Sequence, residues 1–331
     1  MCISFILYNC LEKYLFVLAF NRDEVLDRST RSAHWWDDQE GIVGGRDCVG
    51  GGTWLCAHVD GRVAFLTNFR KKIDVPTHPQ PNISRGALPT NFVTSSETPR
   101  EYLSKINGAS YSHYGAGFNL VVADLGNPPE EQKTPKSGIS IDEAEANDDD
   151  EEEQPHHPTT GSSFFPSSQV YYMTNAAYFG DANASVDPIP LPPGVHGLSN
   201  AVLDTPWPKV VLGRRKFDNL AGSGAFDGEE FPWNAAFAIM KDSTVLECDP
   251  NKLPDTGYGA EFETAASALF MNPVLVGNTF FGTRSVAVLA VPRDSRIPAE
   301  LWEQYLTEEG GWAEERHRFH MKLAESLPKL D

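Results

Sequence analysis

The chain has 331 residues, of which 40% are hydrophobic and 11% aromatic, so it is long enough to bury one large core or two ordinary ones. Its formal net charge is −19, and nine acidic residues lie in a run at positions 142–153 that holds no basic residue, which leaves −10 for the remainder. This balance excludes a nucleic-acid-binding protein that grips phosphates with clustered Lys and Arg.

Two apolar segments at the N-terminus, residues 3–8 and 14–20, are separated by polar residues and are predicted to form a β-hairpin. The first strand begins after Cys2, and the second continues into Asn21, Arg22, Asp23 and Glu24. Antiparallel pairing brings the start of one strand beside the end of the next. Cys2 and Asp23 are therefore expected to lie within a few ångströms of each other, with Asn68 or Asn175 nearby.

Cys2 has two interpretations. If Met1 is removed, the Cys2 thiol becomes a nucleophile whose own α-amine, with a reference pKa of about 7.7 to 8, serves as its base. A cysteine in a strand can equally be a small buried hydrophobe. The polar run from Asn21 to Glu24 can likewise be a solvated turn, and it is the conjunction of both features on one hairpin that favours a site.

The other cysteines give no sign of a disulfide framework or a metal site. The five cysteines stand at positions 2, 10, 48, 56 and 248, an odd number with no CxxC spacing. This pattern predicts free thiols in a reducing compartment, with no metal bound. The N-terminus has neither a secretory signal nor an Arg-rich transit peptide, and no apolar stretch is long enough for a membrane span.

The middle of the chain alternates between strands and loops. A glycine run at 50–52 precedes one apolar strand, and the strand at 63–66 ends near Asn68, whose side-chain amide either donates to an oxyanion or caps a turn. A helix is predicted at 99–106. Strands at 117–124 and 169–175 flank residues 126–168, where Pro, Gly, Ser and acidic residues predict a disordered insertion.

The following segment contains a second polar site and two helices. Asn200 ends the run at 191–200, and helices are predicted from about 206 to 220 and at 231–241. The first helix carries a basic group that either meets an anionic ligand or solvates one face, and the solvated face is the preferred interpretation. The members of this group are Lys209, Arg214, Arg215 and Lys216.

The C-terminal part is predicted to contain one more strand and two helices. Arg284 opens the apolar strand at 286–291, and a buried arginine at that place needs a carboxylate, for which Asp23 and Glu24 are the candidates. Helices are predicted at 299–307 and 312–323. His317 and His320 would then share one side of the second helix, as a surface pair rather than a metal or haem site.

Several of these stretches together resemble the signature blocks of the transport and Golgi organisation protein 2 family, also called the NRDE proteins. The resemblance spans nearly the whole chain, and the blocks occur in the family's order. It implies a single domain of residues 1–331. Residues 126–168 depart from the family pattern and are interpreted as an insertion into this domain. The blocks are Met1-Cys2-Ile3, Asn21-Arg22-Asp23-Glu24, Gly51-Gly52-Thr53-Trp54-Leu55, Thr67-Asn68-Phe69-Arg70, Ser84-Arg85-Gly86, Gly117-Phe118-Asn119-Leu120, Gly197-Leu198-Ser199-Asn200, 203–210 and Gly282-Thr283-Arg284-Ser285.

The resemblance implies an α+β fold, a four-layer αββα sandwich of two antiparallel sheets like that of the N-terminal-nucleophile (Ntn) hydrolases. It further implies that Cys2, Asp23, Asn68 and Asn175 match the nucleophile, amine-orienting aspartate and oxyanion donors of cysteine-type Ntn amidases. Asn21, Arg22, Glu24, Asn200 and Arg284 would bind ligand or support the motif. One departure counts against the amidase, because the place of its arginine is taken by Phe20 and Arg22 is shifted.

Three functions follow from the resemblance. The first is non-catalytic handling of a small hydrophobic or anionic ligand, namely haem, acyl-coenzyme A or lipid, with a downstream role in Golgi organisation and secretion. The second is a Cys2 amidohydrolase that cleaves a C–N amide bond, and the third is a secretory-pathway factor that acts through protein partners. Haem would be a transported ligand rather than a resident cofactor, and the implied location is cytoplasmic, with mitochondrial or Golgi-associated pools.

Overall fold

The computed structural model describes residues 2–70, 84–106, 117–127, 169–181, 184–185, 187–249 and 251–325. Its strands, in chain order, are β1 Ile3–Tyr8, β2 Tyr14–Val25, β3 Thr30–Trp35, β4 Ile42–Asp47, β5 Leu55–His58, β6 Arg62–Asn68, β7 Phe118–Asp124, β8 Val170–Thr174, β9 Ile189–Pro190, β10 Gly194–Leu198, β11 Val274–Val276, β12 Thr279–Pro292, β13 Ala299–Leu306 and β14 Trp312–Phe319. Its helices are α1 Ala87–Val93, α2 Pro99–Lys105, α3 Pro208–Gly222, α4 Trp233–Met240 and α5 Ala260–Ala265.

The strands form two antiparallel sheets of seven strands each. The first sheet has the order β10-β1-β2-β12-β13-β14, with β11 paired to β12, and the second has the order β3-β4-β5-β6-β7-β8-β9. The predicted N-terminal hairpin is confirmed, and it lies at the centre of the first sheet, with Ile3 opposite Asn21. Strands this apolar are buried on both faces, which is why they read as continuous hydrophobic runs.

Three clusters of buried side chains show how the layers stack. One cluster lies between the sheets and joins residues such as Phe20 and Phe65. A second joins the first sheet to α3 and α4, and a third joins the second sheet to α1 and α2. The order of layers is therefore helices, sheet, sheet, helices, so the predicted α+β fold, an αββα sandwich of two antiparallel sheets, is confirmed.

The two predicted C-terminal helices are wrong. Residues 299–306 and 312–319 are the strands β13 and β14, which pair with each other and extend the first sheet from β12. In β13 the side chains of Ala299, Leu301 and Glu303 are buried in alternation with more exposed ones, the period of two that a strand with one covered face requires. Glu and Leu, which favour helices, obscured this alternation in the sequence.

The prediction that His317 and His320 share one side of a helix is therefore also wrong. His317 lies within β14, where its Nε2 donates to the carbonyl oxygen of Ala33 at 2.8 Å, and His320 follows the end of the strand and is exposed. Of the predicted insertion at 126–168, residues 126 and 127 continue from β7, and residues 128–168 lie outside the described part of the chain. None of the helices in the described ranges is long and apolar enough to cross a membrane.

Candidate functional site

Cys2 lies directly before β1 and is held against the end of β2. Its thiol Sγ is 3.9 Å from the backbone carbonyl oxygen of Asp23, and only 8% of the residue is exposed. The hydroxyl of Ser199, just after β10, donates to the carbonyl oxygen of Cys2 at 2.9 Å. The structure thus brings Cys2 and Asp23 together at the end of the hairpin where the strand pairing predicts them.

The polar run at the end of β2 alternates between the two faces of the sheet. Asn21 Nδ2 donates to the carbonyl oxygens of Met240 and Leu269, both at 2.8 Å, on the side covered by helices. On the same side, Asp23 Oδ1 accepts a hydrogen bond from Thr283 Oγ1 at 2.7 Å. Side chains two apart in a strand share a face, so Asn21 fixes β2 to the layer of helices while Asp23 fixes it to β12 on the same side.

Arg22 projects to the opposite face, between the sheets. Its guanidinium lies 4.1 Å from the ring centre of Trp54, and its Nη2 is 3.2 Å from Asp47 Oδ2. Arg28 Nε is 2.7 Å from the same Asp47 oxygen. Burial alone would raise the pKa of Asp47, but the hydrogen bonds from Arg28 and the charges of both arginines hold this pKa below its ordinary value. Asp47 is therefore the shared anionic partner of two arginines.

The Cys2 thiol opens onto a cavity of about 300 Å³ on this face, here called the Cys2 pocket. The pocket combines four arginines with two carboxylates and an aromatic wall. It is lined by Cys2, Arg22, Glu24, Arg28, Asp47, Thr53, Trp54, Leu66, Asn68, Arg70, Ser84, Arg85, Gly86, Tyr258 and Phe281. Most of these residues come from the ends of strands in both sheets, so the sandwich itself positions the pocket.

Two of its arginines lie close together, and one of them has a donor that the described protein does not satisfy. Arg70 lies 4.4 Å from the ring centre of Tyr258, and its buried Nη1 has no hydrogen-bond partner among the described residues. Arg85 donates through Nη1 to the carbonyl oxygen of Gly117 at 2.8 Å. Burial, followed by the neighbouring charge of Arg70, lowers the pKa of Arg85, which shows that the two cations sit close together without full neutralisation.

The three candidate asparagines are placed differently. Asn68 lines the Cys2 pocket, and its carbonyl oxygen accepts a hydrogen bond from Asn200 Nδ2 at 2.5 Å. The carbonyl oxygen of Asn200 in turn accepts from the backbone N–H of Arg70 at 2.8 Å, so Asn200 holds the strand end that carries both pocket residues. Asn175 is fully buried, with Oδ1 accepting from Phe118 N at 2.7 Å, and it does not line the pocket.

The whole architecture can be compared with known proteins. A family model described as Transport and Golgi organisation 2 matches residues 1–308. The chain belongs to this family. It is 27% identical to the Transport and Golgi organization protein 2 homolog of Bos taurus, over 97% of this chain and 100% of the bovine protein. The human homolog is 27% identical and the mouse homolog 26%, each over 90% of this chain and 91% of the relative.

In this Transport and Golgi organisation 2 family member the thiol of Cys2 is shielded from water. Burial raises the pKa of Cys2 above its ordinary value, and the negative charge of Asp23 adds to this rise. A raised pKa keeps the thiol protonated at neutral pH, and the protonated thiol is a poor nucleophile. The catalytic roles assigned to Cys2 and Asp23 by resemblance stay predictions.

Lys209, which interacts electrostatically with Cys2 and Asp23, is a buried residue that sequence reasoning missed, as it missed most of the residues that line the pocket. It was grouped with Arg214, Arg215 and Lys216 on a solvated face, yet it is only 1% exposed. Burial lowers its pKa, while the charges of Asp23, Cys2 and Glu263 oppose that fall. The spacing held the signal, because Lys209, Gly213 and Phe217 recur every four residues and all three are buried along one stripe of α3.

Arg284 lies inside β12, which begins earlier than predicted, at Thr279. It is 8% exposed, and its Nη1 donates to the backbone carbonyl oxygen of Arg28. This carbonyl, rather than the expected carboxylate of Asp23 or Glu24, is the partner that the structure shows. In the cysteine-type amidases an arginine stands at the position that Phe20 occupies here. Arg284 does not line the Cys2 pocket, so it does not replace that arginine.

Proposed function

We propose that this protein binds an amphipathic anion in the Cys2 pocket and hands it on without chemical change. Haem, acyl-coenzyme A and other acyl lipids belong to this class of ligand. The names of the relatives motivate the wider proposal that such handling serves Golgi organisation and protein secretion, in a cytoplasmic protein with mitochondrial or Golgi-associated pools.

The charge of the pocket is the observation that carries this proposal. Asp47 already partners Arg22 and Arg28, and Glu24 is the only other carboxylate among the described residues of the wall. Arg70 and Arg85 therefore remain for a ligand. A guanidinium fork matches carboxylate and phosphate oxygens, so an anionic group is the natural occupant of this end of the pocket.

The other walls suit the apolar part of such a ligand. The rings of Trp54, Tyr258 and Phe281 line the cavity together with Leu66. A volume of about 300 Å³ lies at the lower limit of ordinary ligand sites, so the pocket would take the anionic end and adjacent atoms while the remainder extends through its opening. If haem is the ligand, Cys2 and Tyr258 are the residues of types known to bind its iron.

The alternative is a Cys2 amidohydrolase, favoured by the contact between Cys2 and Asp23 and by Asn68 in the same pocket. Here the deprotonated sulfur would attack an amide carbonyl while Asn68 donates to the oxyanion. The C–N bond would then break, the leaving amine would take the proton from the α-ammonium, and water would hydrolyse the thioester. Against this alternative stand the burial of the thiol and its raised pKa.

One experiment separates binding from turnover. Protein whose intact mass confirms removal of Met1, and its Cys2→Ser variant, are incubated with N-acyl amides, an acyl-coenzyme A and haem, and both hydrolysis and retention are recorded. We expect equal retention of one ligand by both proteins and no product, since the exchange of sulfur for oxygen removes little contact area. Multiple turnovers by the wild type alone would overturn the binding proposal in favour of the amidase.

A further inference from the structure

A second cavity, of about 310 Å³, lies on the other side of the Arg22 and Trp54 pair. Arg22 and Trp54 line both cavities, so their stacked side chains form a shared wall. The second cavity is lined by Arg22, Thr30, Arg31, Ser32, Trp54, Arg284, Ser285, Glu303, Tyr305, Leu306, Thr307, Glu308 and Glu309. None of the functions considered above uses it.

An irregularity in β12 points two consecutive side chains into this cavity. Thr283 pairs with Asp23 and Ser285 pairs with Arg22, so Arg284 is an extra residue in the pairing, a β-bulge. In a regular strand, neighbouring side chains point to opposite faces. The bulge lets Arg284 and Ser285 both line the second cavity, and bulges commonly redirect side chains next to functional sites.

Both side chains are buried, and that of Arg284 carries an unsatisfied donor. Arg284 is 8% exposed and Ser285 is 4% exposed. Arg284 Nε has no hydrogen-bond partner among the described residues, and the Ser285 hydroxyl faces the carboxyl group of Glu303. Buried polar atoms in native proteins nearly always have partners, so the free donor of Arg284 indicates a place that a ligand completes.

The acidic residues of the cavity restrict which anion fits. Glu303 is 2% exposed and accepts a hydrogen bond from the backbone N–H of Ala33 at 2.6 Å. Glu308 and Glu309 lie at the same wall with Arg31. Three carboxyl groups around one cavity repel a dianion such as phosphate, whereas a singly charged carboxylate places only one charge against them.

We propose that the second cavity is a binding site for a small monocarboxylate, held by the side chains of Arg284 and Ser285. The planar guanidinium receives the carboxylate oxygens, and the Ser285 hydroxyl supplies a further donor. The shared wall of Arg22 and Trp54 closes the cavity toward Cys2. This site is independent of the ligand proposed for the Cys2 pocket, so either proposal can fail without the other.

An NMR titration with sodium acetate, repeated with inorganic phosphate, tests this site. We expect saturable acetate binding to the wild-type protein, weakened roughly 10- to 100-fold in Arg284→Gln because a charge-assisted pair is lost. Ser285→Ala should weaken it severalfold. Arg296→Gln is the matched control, because Arg296 is an exposed arginine paired with Asp294 that lines neither cavity, and it should bind acetate as the wild type does.

Four results would overturn the proposal. The first is no saturation by acetate at ~10 mM, where even weak specific binding shows. The second is equal binding by the wild type, Arg284→Gln and Ser285→Ala, and the third is an equal loss in Arg296→Gln. The fourth is tighter binding of phosphate than of acetate at the same residues. If Arg284→Gln does not fold, Ser285→Ala decides the question, because it removes one hydroxyl and keeps the charge.

Discussion

The two faces of the end of β2 differ in what satisfies their polar side chains. On the helix-facing side, Asn21 and Asp23 are bonded to the backbone of Met240 and Leu269 and to the hydroxyl of Thr283. On the pocket-facing side, Arg22 stacks on Trp54 at the wall between two cavities. The difference teaches that one polar motif can face two environments, since its odd residues are bonded within the protein and its even residues face the cavities proposed to bind ligands.

The largest effect is expected from Asn21→Ala, on the helix-facing side. The substitution leaves two buried carbonyl oxygens without donors, which should lower the free energy of unfolding by about 3 kcal/mol. Urea denaturation measures this loss. Glu24→Gln, on the pocket-facing side, serves as the control and should change stability little. If Asn21→Ala were as stable as the wild type, the two faces would not differ in the way that the hydrogen bonds indicate.

The next effect is expected from Arg70→Gln, on the pocket-facing side. It removes a cation whose buried Nη1 has no partner in the described structure, so the affinity for an acyl-coenzyme A should fall roughly tenfold while stability stays near that of the wild type. Equilibrium binding and thermal unfolding on the same samples check both parts. Arg316→Gln, a change remote from both cavities, should leave the affinity unchanged.

A smaller effect is expected from Glu303→Gln, in the cavity beyond Arg22. Burial raises the folded-state pKa of Glu303 above its ordinary 4.5, so over that interval the folded protein binds a proton that the unfolded chain has lost. The stability provided by this proton is present below pH 4.5 and is lost as the pH rises through the raised pKa. Glutamine at this position can still accept the hydrogen bond from the backbone N–H of Ala33, but it does not titrate and so its contribution to stability does not change with pH. The variant should therefore gain stability relative to the wild type as the pH rises above 4.5, which urea unfolding at several pH values measures.

The smallest effect on either face is expected from deletion of residues 128–168. Gln169 Nε2 donates to the carbonyl oxygen of Asn127 at 2.6 Å, and β7 pairs with β8 from Ala123 and Val170 onward, so a short turn can rejoin the strands. Each doubling of loop length costs only about 0.6 kcal/mol. We expect ligand affinity and fold to be retained. A melting temperature lowered by tens of degrees would show that the segment packs on the core.

How well the sequence predicted each element depended on burial. The β1 and β2 hairpin is covered on both faces, so its apolar runs are continuous and its pairing places Cys2 beside Asp23. The strands β13 and β14, at one end of the first sheet, are covered on one face, and a buried Glu303 interrupts the apolar alternation of β13. A buried carboxyl at an inward position is a tertiary effect that residue propensities do not contain.

The candidate site divides in the same way. The resemblance assigned Cys2, Asp23, Asn68, Asn175 and Arg284 to one site. In the structure Cys2 lies beside Asp23 and lines a pocket with Asn68, whereas Asn175 and Arg284 do not line that pocket. The burial of Lys209 depends on its position within α3 relative to the sheet, and the second cavity depends on a one-residue bulge at Arg284. A bulge is set by how two distant strands register, so no local pattern announces it.

If both proposed ligands bind, the wall that Arg22 and Trp54 form between the two cavities is expected to couple their affinities. An anion on either side attracts the same guanidinium, which Asp47 already holds at 3.2 Å. When the guanidinium of Arg22 moves toward the ligand in one cavity, less of its charge faces the ligand in the other cavity. Each ligand should therefore lower the affinity of the protein for the other ligand. Linkage requires the two reductions in affinity to be equal, whichever ligand binds first. A rise in the concentration of the small carboxylate would then lower the affinity of the Cys2 pocket for the larger ligand proposed for it.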